Sequence, residues 1–256
     1  MGACLKMTLT ITDLPSPNFG PRHAVSGKTG VRQVLVHYTG MKSWAEAKER
    51  LCDPKAEVSA HYAIDEDGSV YRLVAENMRA WHAGKAFWHG IRDINSTSIG
   101  IELVNPGHEN GYRAFPEAQI KAFTELVRDI MQRHNVKPAD ILGHSDVAPG
   151  RKDDPGELFP WERLAEEGIG LWPEPTTVLP GNPDLDAAFR RLSEIGYAVP
   201  LRDELGMDML APETAATDVI TAFQRHFRPA NVTGVLDNET ATILAAVDVV
   251  FAKARS

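Results

Sequence analysis

The sequence lacks the features that mark several large classes of protein. Its two cysteines are too few for a disulfide framework, and no apolar run reaches the roughly 18 residues that a transmembrane helix needs. A formal net charge of -8 argues against a nucleic-acid partner, because phosphate binding needs clustered Lys and Arg. Gly-x-Ser-x-Gly elbows, phosphate-binding Gly-rich loops and dinucleotide fingerprints are also missing, which excludes the enzymes built on these motifs.

What the chain does contain is a mixed pattern of apolar runs and one long helical stretch. An Asp-Gly pair, Asp67-Gly68, lies between two of the runs and predicts a hairpin. Pro116 opens a stretch with apolar residues at helical spacing. The pattern predicts an α/β domain over residues 1–171, with a mixed β-sheet flanked by helices. The predicted strands lie near residues 34–36, 62–64, 70–74, 98–104 and 140–144.

A different pattern begins after residue 171. Residues 172–182 are rich in proline and carry no apolar period, which is typical of a linker. Residues 183–256 read as three short amphipathic helices. We expect Asn182 to cap the first helix with Pro183 at its first position, Gly196 to end it, and the third to start near Asp237. This small three-helix domain has no cluster of reactive groups, which favours a binding role.

Two histidines and one aspartate could hold a metal ion. His37 and His144 each stand at the carboxyl end of an apolar strand, where α/β folds often form their sites. Asp154 follows ten residues after His144. Two imidazoles, one carboxylate and an open fourth position are typical of catalytic zinc. Spacing alone leaves unrelated polar residues as the alternative, because the three come from distant segments.

Two further residues could do chemistry beside such a metal. Glu102 interrupts the apolar strand at residues 99–104, where a carboxylate must face a partner, a cavity or solvent. In a cavity it could act as a general base. Lys152 could stabilise negative charge on a carbonyl oxygen, although an ordinary loop lysine would look the same.

The remaining histidines need separate interpretations. His61 is expected to be a hydrogen-bonded structural residue, His134 to end the long helix, and His226 to face solvent. His82 lies in an aromatic-rich segment beside Trp81, which could stack on a sugar or a peptide. A packed loop is the alternative for that segment.

Several stretches together resemble the zinc-dependent N-acetylmuramoyl-L-alanine amidases of the AmpD/AmiD type, which are related to peptidoglycan recognition proteins. The most specific are Gly143-His144-Ser145-Asp146 continuing through Lys152-Asp153-Asp154-Pro155-Gly156, and Ala80-Trp81-His82-Ala83-Gly84 leading to Asn95 and Glu102. The resemblance spans nearly all of residues 31–171. The C-terminal helices, with Ala222 to Pro229, look like a peptidoglycan-binding domain.

The resemblance implies a complete set of roles. His37, His144 and Asp154 would bind one Zn²⁺, and Glu102 and Lys152 would be catalytic. Trp81, His82 and Asn95 are predicted to shape the substrate groove. The implied reaction cuts the amide between the lactyl group of MurNAc or 1,6-anhydro-MurNAc and L-Ala, in peptidoglycan recycling or turnover. The alternatives are a peptidoglycan receptor without activity and a zinc peptidase acting on other amides.

Partners and compartment follow from the same resemblance. We expect a monomer that binds anhydro-muropeptides or the sacculus. Met1-Gly2-Ala3-Cys4 is similar to the end of a lipoprotein signal, but no apolar segment precedes it. The cytoplasm is therefore the predicted compartment. A periplasmic protein or an outer-membrane lipoprotein is the alternative if the true start lies upstream.

Overall fold

The computed structural model describes residues 9–174, 177–178, 181–199 and 215–255. The tetrapeptide Met1 to Cys4 and part of the predicted linker lie outside these residues. The strands are β1 (Ile11–Asp13), β2 (Phe19–Pro21), β3 (Gln33–Tyr38), β4 (Tyr62–Ile64), β5 (Val70–Arg72), β6 (Met78–Ala80), β7 (Ser98–Leu103) and β8 (Ile141–Gly143). The helices are α1 (Trp44–Cys52), α2 (Ile94–Thr97), α3 (Gly107–Asn110), α4 (Glu117–His134), α5 (His144–Val147), α6 (Trp161–Glu166), α7 (Leu185–Ile195), α8 (Ala216–Phe227) and α9 (Asn238–Arg255).

The main sheet has the strand order β1-β5-β4-β7-β3-β8. Strand β3 pairs in parallel with both β7 and β8, β4 pairs in parallel with β7, and the β4–β5 hairpin is antiparallel. Strands β2 and β6 form a separate antiparallel pair. The predicted mixed sheet with flanking helices is confirmed, and so is the hairpin at Asp67-Gly68.

The two faces of the sheet carry different side chains because neighbouring residues of a strand point to opposite faces. Val34 and Val36 of β3 pack with Ile99 and Ile101 of β7 in a core that includes α4. Leu35 lies on the other face, in a second core. His37 is two residues after Leu35 and points to the same face. Glu102 directly follows Ile101, so it points to the other face than Ile101, which is the face of His37. The apolar pattern of the strands thus directs His37 and Glu102 away from α4.

Helix α4 begins after Pro116, as predicted. It ends at Asn135, which has a left-handed backbone and donates its N–H to the carbonyl of Met131. His134 stands in its last turn and pairs with Glu76. The predicted helix and the position of His134 at its end are therefore confirmed.

The three C-terminal helices predicted from the sequence are present as α7, α8 and α9. Gly196 ends α7, as expected, and α9 begins beside Asp237. The predicted cap at Asn182 is wrong: Asp184 caps α7, and its side chain accepts the N–H groups of Asp186 and Ala187. A carboxylate at this position satisfies two free amides and also favours the helix dipole.

The C-terminal helices share a core with the sheet. The buried cluster that contains Leu35 and Leu142 also contains Leu192, Phe223 and Leu244. The ring of Tyr197 packs edge-on against Trp88, with ring centres 5.0 Å apart. This arrangement covers the face of the sheet on which His37 lies.

Candidate metal centre and active site

The site forms where three parallel strands end. His37 and Glu102 are direct register partners on β3 and β7, so their side chains start from neighbouring positions on one face. His144 follows β8 and is the first residue of α5. Asp154 lies in the loop after α5, where its carbonyl accepts the N–H of Ser145. Residues distant in sequence thus meet at the carboxyl edge of the sheet.

Three donor atoms meet at the centre of this site. His37 Nδ1 lies 2.9 Å from His144 Nδ1 and 2.9 Å from Asp154 Oδ2, and His144 Nδ1 lies 3.0 Å from the same oxygen. All three side chains are buried. Their types and mutual closeness fit a metal ion, and two nitrogens with one carboxylate oxygen are the donor set of catalytic zinc.

The outer hydrogen bonds determine which ring nitrogens carry protons. His144 Nε2 lies 3.0 Å from the carbonyl of Ala83, to which it must donate. His37 Nε2 lies 3.1 Å from His82 Nδ1, and His82 Nε2 lies 3.3 Å from the hydroxyl of Ser98. Ser98 donates to the carbonyl of Ile94, so its oxygen is free to accept from His82. His37 therefore donates through Nε2 and presents an unprotonated Nδ1.

Both imidazoles consequently direct lone pairs at the carboxylate of Asp154. Three acceptors about 3 Å apart repel one another unless a cation lies among them. The hydrogen-bond partners of the site, and not only its residue types, fit a metal ion. The outer partners His82 and Ala83 belong to one loop, which therefore orients both histidines.

Burial and neighbouring charges shift the ionisation of the site. Burial and, to a smaller extent, His144 lower the pKa of His37 to about 4 against the opposing effect of Asp154. For Asp154, burial raises the pKa, but the positive charge and ring N–H groups that His144 and His37 carry when protonated outweigh it and hold the pKa of the metal-free site far below its usual range. A neutral imidazole and an ionised carboxylate are the forms that bind metal.

Glu102 is the unpaired acid of the site. Its Oε2 is buried and has no hydrogen-bond partner among the described residues. Burial raises its pKa well above the ordinary value, Asp154 raises it further, and Lys152 partly opposes them. Glu102 and Lys152 line the same cleft as the three donors, a cavity of about 360 Å³. A carboxylate with a free oxygen in such a cleft can accept a proton.

The predicted substrate residues occupy different positions. Trp81 lines the cleft, and His82 lines it while contacting His37. Asn95 lies behind the loop: its side-chain oxygen accepts the N–H groups of His82 and Ala83, at 3.0 and 2.8 Å. Its contacts are therefore with the backbone that carries His82. Tyr38 and His108, which no pattern in the sequence singled out, form part of the cleft wall.

The other histidines show which interpretations held. His61 is buried, and its Nδ1 accepts the N–H of Gly100, so the structural interpretation is confirmed. The expectation that His226 faces solvent is wrong. Its side chain is 4% exposed and bonds to the carboxylate of Asp146 at 2.8 Å. His226 lies seven residues after Val219 and three after Phe223, along the apolar face of α8, and Trp161 and Asp146 of the catalytic domain cover it there.

Comparison with known proteins identifies the family. The sequence profile described as N-acetylmuramoyl-L-alanine amidase matches residues 27–157. The AmiD amidase of Escherichia coli is 36% identical over 246 residues, which cover 88% of this chain and 85% of AmiD. The chain belongs to the N-acetylmuramoyl-L-alanine amidase family. The predicted enzyme class, an amide hydrolase, is thereby confirmed.

Solved structures of relatives agree over both the catalytic and the C-terminal helices. The complex of E. coli AmiD with anhydro-N-acetylmuramic acid-L-Ala-D-γ-Glu-L-Lys has a TM-score of 0.75 and 33% identity, covering 92% of this chain and 98% of that one. AmpDh3 from Pseudomonas aeruginosa also has a TM-score of 0.75, with 32% identity over 91% of this chain and 96% of its own. The AmpD amidase of Haemophilus influenzae is 40% identical over 107 residues, 41% of this chain and 56% of AmpD.

No helix among the described residues is long and apolar enough to cross a membrane.

Proposed function

We propose that this chain hydrolyses the amide between the lactyl group of N-acetylmuramic acid and the L-Ala of a stem peptide, using one zinc ion. The observation that carries the proposal is the triangle of buried donor atoms, about 3 Å apart, from His37, His144 and Asp154 beside the unpaired Oε2 of Glu102. The relatives support the bond, since AmiD was solved with an anhydro-muramyl peptide.

The protein residues divide the work by their positions. His37, His144 and Asp154 would hold zinc, which supplies Lewis acidity and a site where water loses its proton near neutral pH. Glu102 Oε2 would take a proton from the attacking water and return it to the departing amine of L-Ala. Lys152 adds positive charge to the cleft, where it stabilises the negative charge that develops on the carbonyl oxygen.

The substrate is proposed to be a soluble anhydro-muropeptide. AmpDh3 was solved with an anhydromuramic pentapeptide, and Trp81 gives this cleft an apolar surface on which a sugar could stack. The C-terminal helices, residues 183–256 after the linker at residues 172–182, are proposed to add affinity for the sacculus. A monomer is proposed as the working unit.

The cytoplasm is the proposed compartment, in keeping with the resemblance to amidases of peptidoglycan recycling. A periplasmic enzyme or an outer-membrane lipoprotein is the alternative. Cell fractionation with an antibody against the chain distinguishes them: recovery in the membrane fraction would exclude the cytoplasmic proposal.

The two competing functions lack this support. A receptor without activity needs neither a full set of donors nor a free carboxylate in the cleft. A peptidase for other amides would not require the amidase resemblance to extend over the C-terminal helices. Metal content tests the receptor alternative, and a panel of plain peptides tests the peptidase alternative.

The decisive experiment is mass spectrometry of products from 1,6-anhydro-MurNAc-tripeptide, with and without a chelator. We expect free tripeptide and free anhydro-MurNAc, abolished by the chelator and restored by Zn²⁺. Untouched substrate, with polymeric wall also untouched, would overturn the proposed activity. Cleavage that survives complete removal of metal would overturn the zinc site.

A further inference from the structure

A buried aspartate joins the metal site to the C-terminal helices. Asp146 lies in α5, two residues after His144, and is 1% exposed. One of its oxygens accepts the N–H of Gly143 at 2.7 Å and the Nδ1–H of His226 at 2.8 Å. Its other oxygen accepts the hydroxyl of Tyr197 at 2.6 Å. Two of its three partners therefore come from the C-terminal domain: Tyr197 follows α7, and His226 lies in α8.

Arg225, the residue before His226, contacts the loop that carries Asp154. Arg225 Nη1 lies 2.9 Å from Asp153 Oδ1, and Asp153 directly precedes Asp154. The side chain of Arg225 is 18% exposed. Glu157, which belongs to the same loop as Asp153, lies 3.9 Å from Arg225 Nε. Consecutive residues of α8 thus contact α5 and the loop that follows it, the two segments that carry His144 and Asp154.

The joint is closely packed. The ring of His226 stacks on Trp161, with ring centres 3.9 Å apart, and on Phe227 at 4.0 Å. At Gly150, a Cβ atom would lie 2.4 Å from the carboxylate of Asp218 in α8, so only glycine allows this approach. A close fit of this kind fixes the position of α8 relative to the loop at residues 148–157.

Burying a carboxylate costs free energy unless hydrogen bonds replace its water. Asp146 can keep Gly143 and the start of α5 in place only while hydrogen bonds stabilise its own negative charge. Tyr197 and His226 donate two of these hydrogen bonds from outside the catalytic domain. Losing both leaves the carboxylate with one backbone donor and favours a shift of α5 toward water, which would move His144.

We infer that Tyr197 and His226 are positioning residues for the metal site, so that the C-terminal helices set zinc affinity as well as serving any role in wall binding. This positioning role rests on the proposed zinc site. It acts through Asp146 and the backbone of α5, with no contact to substrate required.

The test measures the zinc dissociation constant of the full-length chain by competition with a chelating dye, at a temperature well below the melting point of each metal-free variant. Tyr197→Phe and His226→Phe keep an aromatic ring and remove only the donor to Asp146. We expect the double variant to bind zinc about tenfold more weakly, at the lower end of the loss caused by removing a partner that contacts a ligand directly. Each single variant should shift zinc affinity in the same direction, which keeps the test available if the double variant fails to fold.

Gln224→Met is the matched control. Gln224 is fully buried in α8, and its side chain bonds to Thr233, Gly234 and Val235 of the α8–α9 connection and to Thr240 of α9. Its loss should lower the melting temperature and leave zinc affinity unchanged, because neither Gln224 nor these four residues are the hydrogen-bond partners of Asp146.

The outcomes separate the two levels of inference. A wild-type chain that binds no zinc overturns the proposed function and the positioning role with it. Zinc-binding wild type with an unchanged dissociation constant in the aromatic variants overturns the positioning role alone. An equal loss of affinity in Gln224→Met would also overturn it, since general loosening would then explain the effect.

Discussion

Two buried histidines on either side of β7 have opposite surroundings: His37 lies on β3, and His61 directly precedes β4. His61 is 0% exposed and His37 is 1% exposed. Burial lowers the pKa of both, helped by Arg22 at His61 and by His144 at His37, to about 3 and about 4. Burial and pKa therefore do not distinguish them. The difference lies in the partners of the inward nitrogen, Nδ1.

At His61, Nδ1 accepts a backbone N–H from Gly100, and Nε2 lies 3.1 Å from the carbonyl of Met78. Protein donors and acceptors satisfy both ring nitrogens. At His37 the outer nitrogen is satisfied by His82, while the inner one faces a second imidazole and a carboxylate. A histidine that lacks a proton donor where it needs one is the better sign of a ligand.

The largest effect in this comparison is expected for Asp154→Ala. Removing the carboxylate leaves two neutral imidazoles, too few for a stable catalytic zinc site. We expect loss of bound zinc and of activity together, with metal content measured by mass spectrometry after gel filtration. Zinc retained at wild-type stoichiometry would remove Asp154 from the ligand set.

Glu102→Gln should separate metal binding from turnover. The amide keeps the shape of the side chain but cannot accept a proton, so kcat should fall about 100- to 10,000-fold. Zinc content should stay at wild-type level. A kcat within about tenfold of wild type would assign the proton transfer to another group.

His82→Phe tests the outer partner of His37. Phenylalanine fills a similar volume but accepts no hydrogen bond, so the orientation and tautomer of His37 are no longer fixed. We expect zinc affinity about 10- to 100-fold weaker in a dye competition assay. An unchanged affinity would mean that His82 serves the substrate cleft alone, as first predicted from the sequence.

His61→Gln sharpens the contrast from the other side. The variant disturbs the bond to Gly100 and should lower the free energy of unfolding by about 1–3 kcal/mol, measured by urea titration. Zinc stoichiometry should not change. Loss of zinc at a temperature where the variant is folded would erase the proposed distinction between the two histidines.

The smallest effect concerns the pH dependence of stability. Because the native pKa of Glu102 is raised above 4.5, the unfolded chain releases this proton first as pH rises. The native state then holds more protons than the unfolded state, so Glu102 lowers the stability of the metal-free chain increasingly above pH 4.5. Metal-free Glu102→Gln should therefore gain stability over wild type as pH rises from 4.5 toward neutrality. A difference that shrinks with pH would contradict the sign.

Much of the fold could be predicted because local pattern decides it. The apolar runs at Val34 and Ile99 form strands, and Asp67-Gly68 makes the hairpin turn where the chain must reverse. The short strands β1, β2 and β6 were not predicted. They hold few apolar residues, and their pairing depends on partners that are distant in sequence.

The site was only partly predictable for the same reason. A polar residue that interrupts or ends an apolar strand, such as His37 or Glu102, can be recognised from the sequence alone. The contact of His82 with His37 and the joint of Asp146 with Tyr197 and His226 are not, since no periodicity reports which distant side chain is the partner. His226 was misjudged because Trp161 and Asp146, which contact it, are distant in sequence.

The place of β3 between β7 and β8 has a consequence for the newly made polypeptide. His37 leaves the ribosome before either strand that flanks it, and His144 and Asp154 follow 107 and 117 residues later. A nascent chain that stops short of Asp154 holds one histidine without its two companions. The order of synthesis therefore delays formation of the three-residue site until Asp154 has been made.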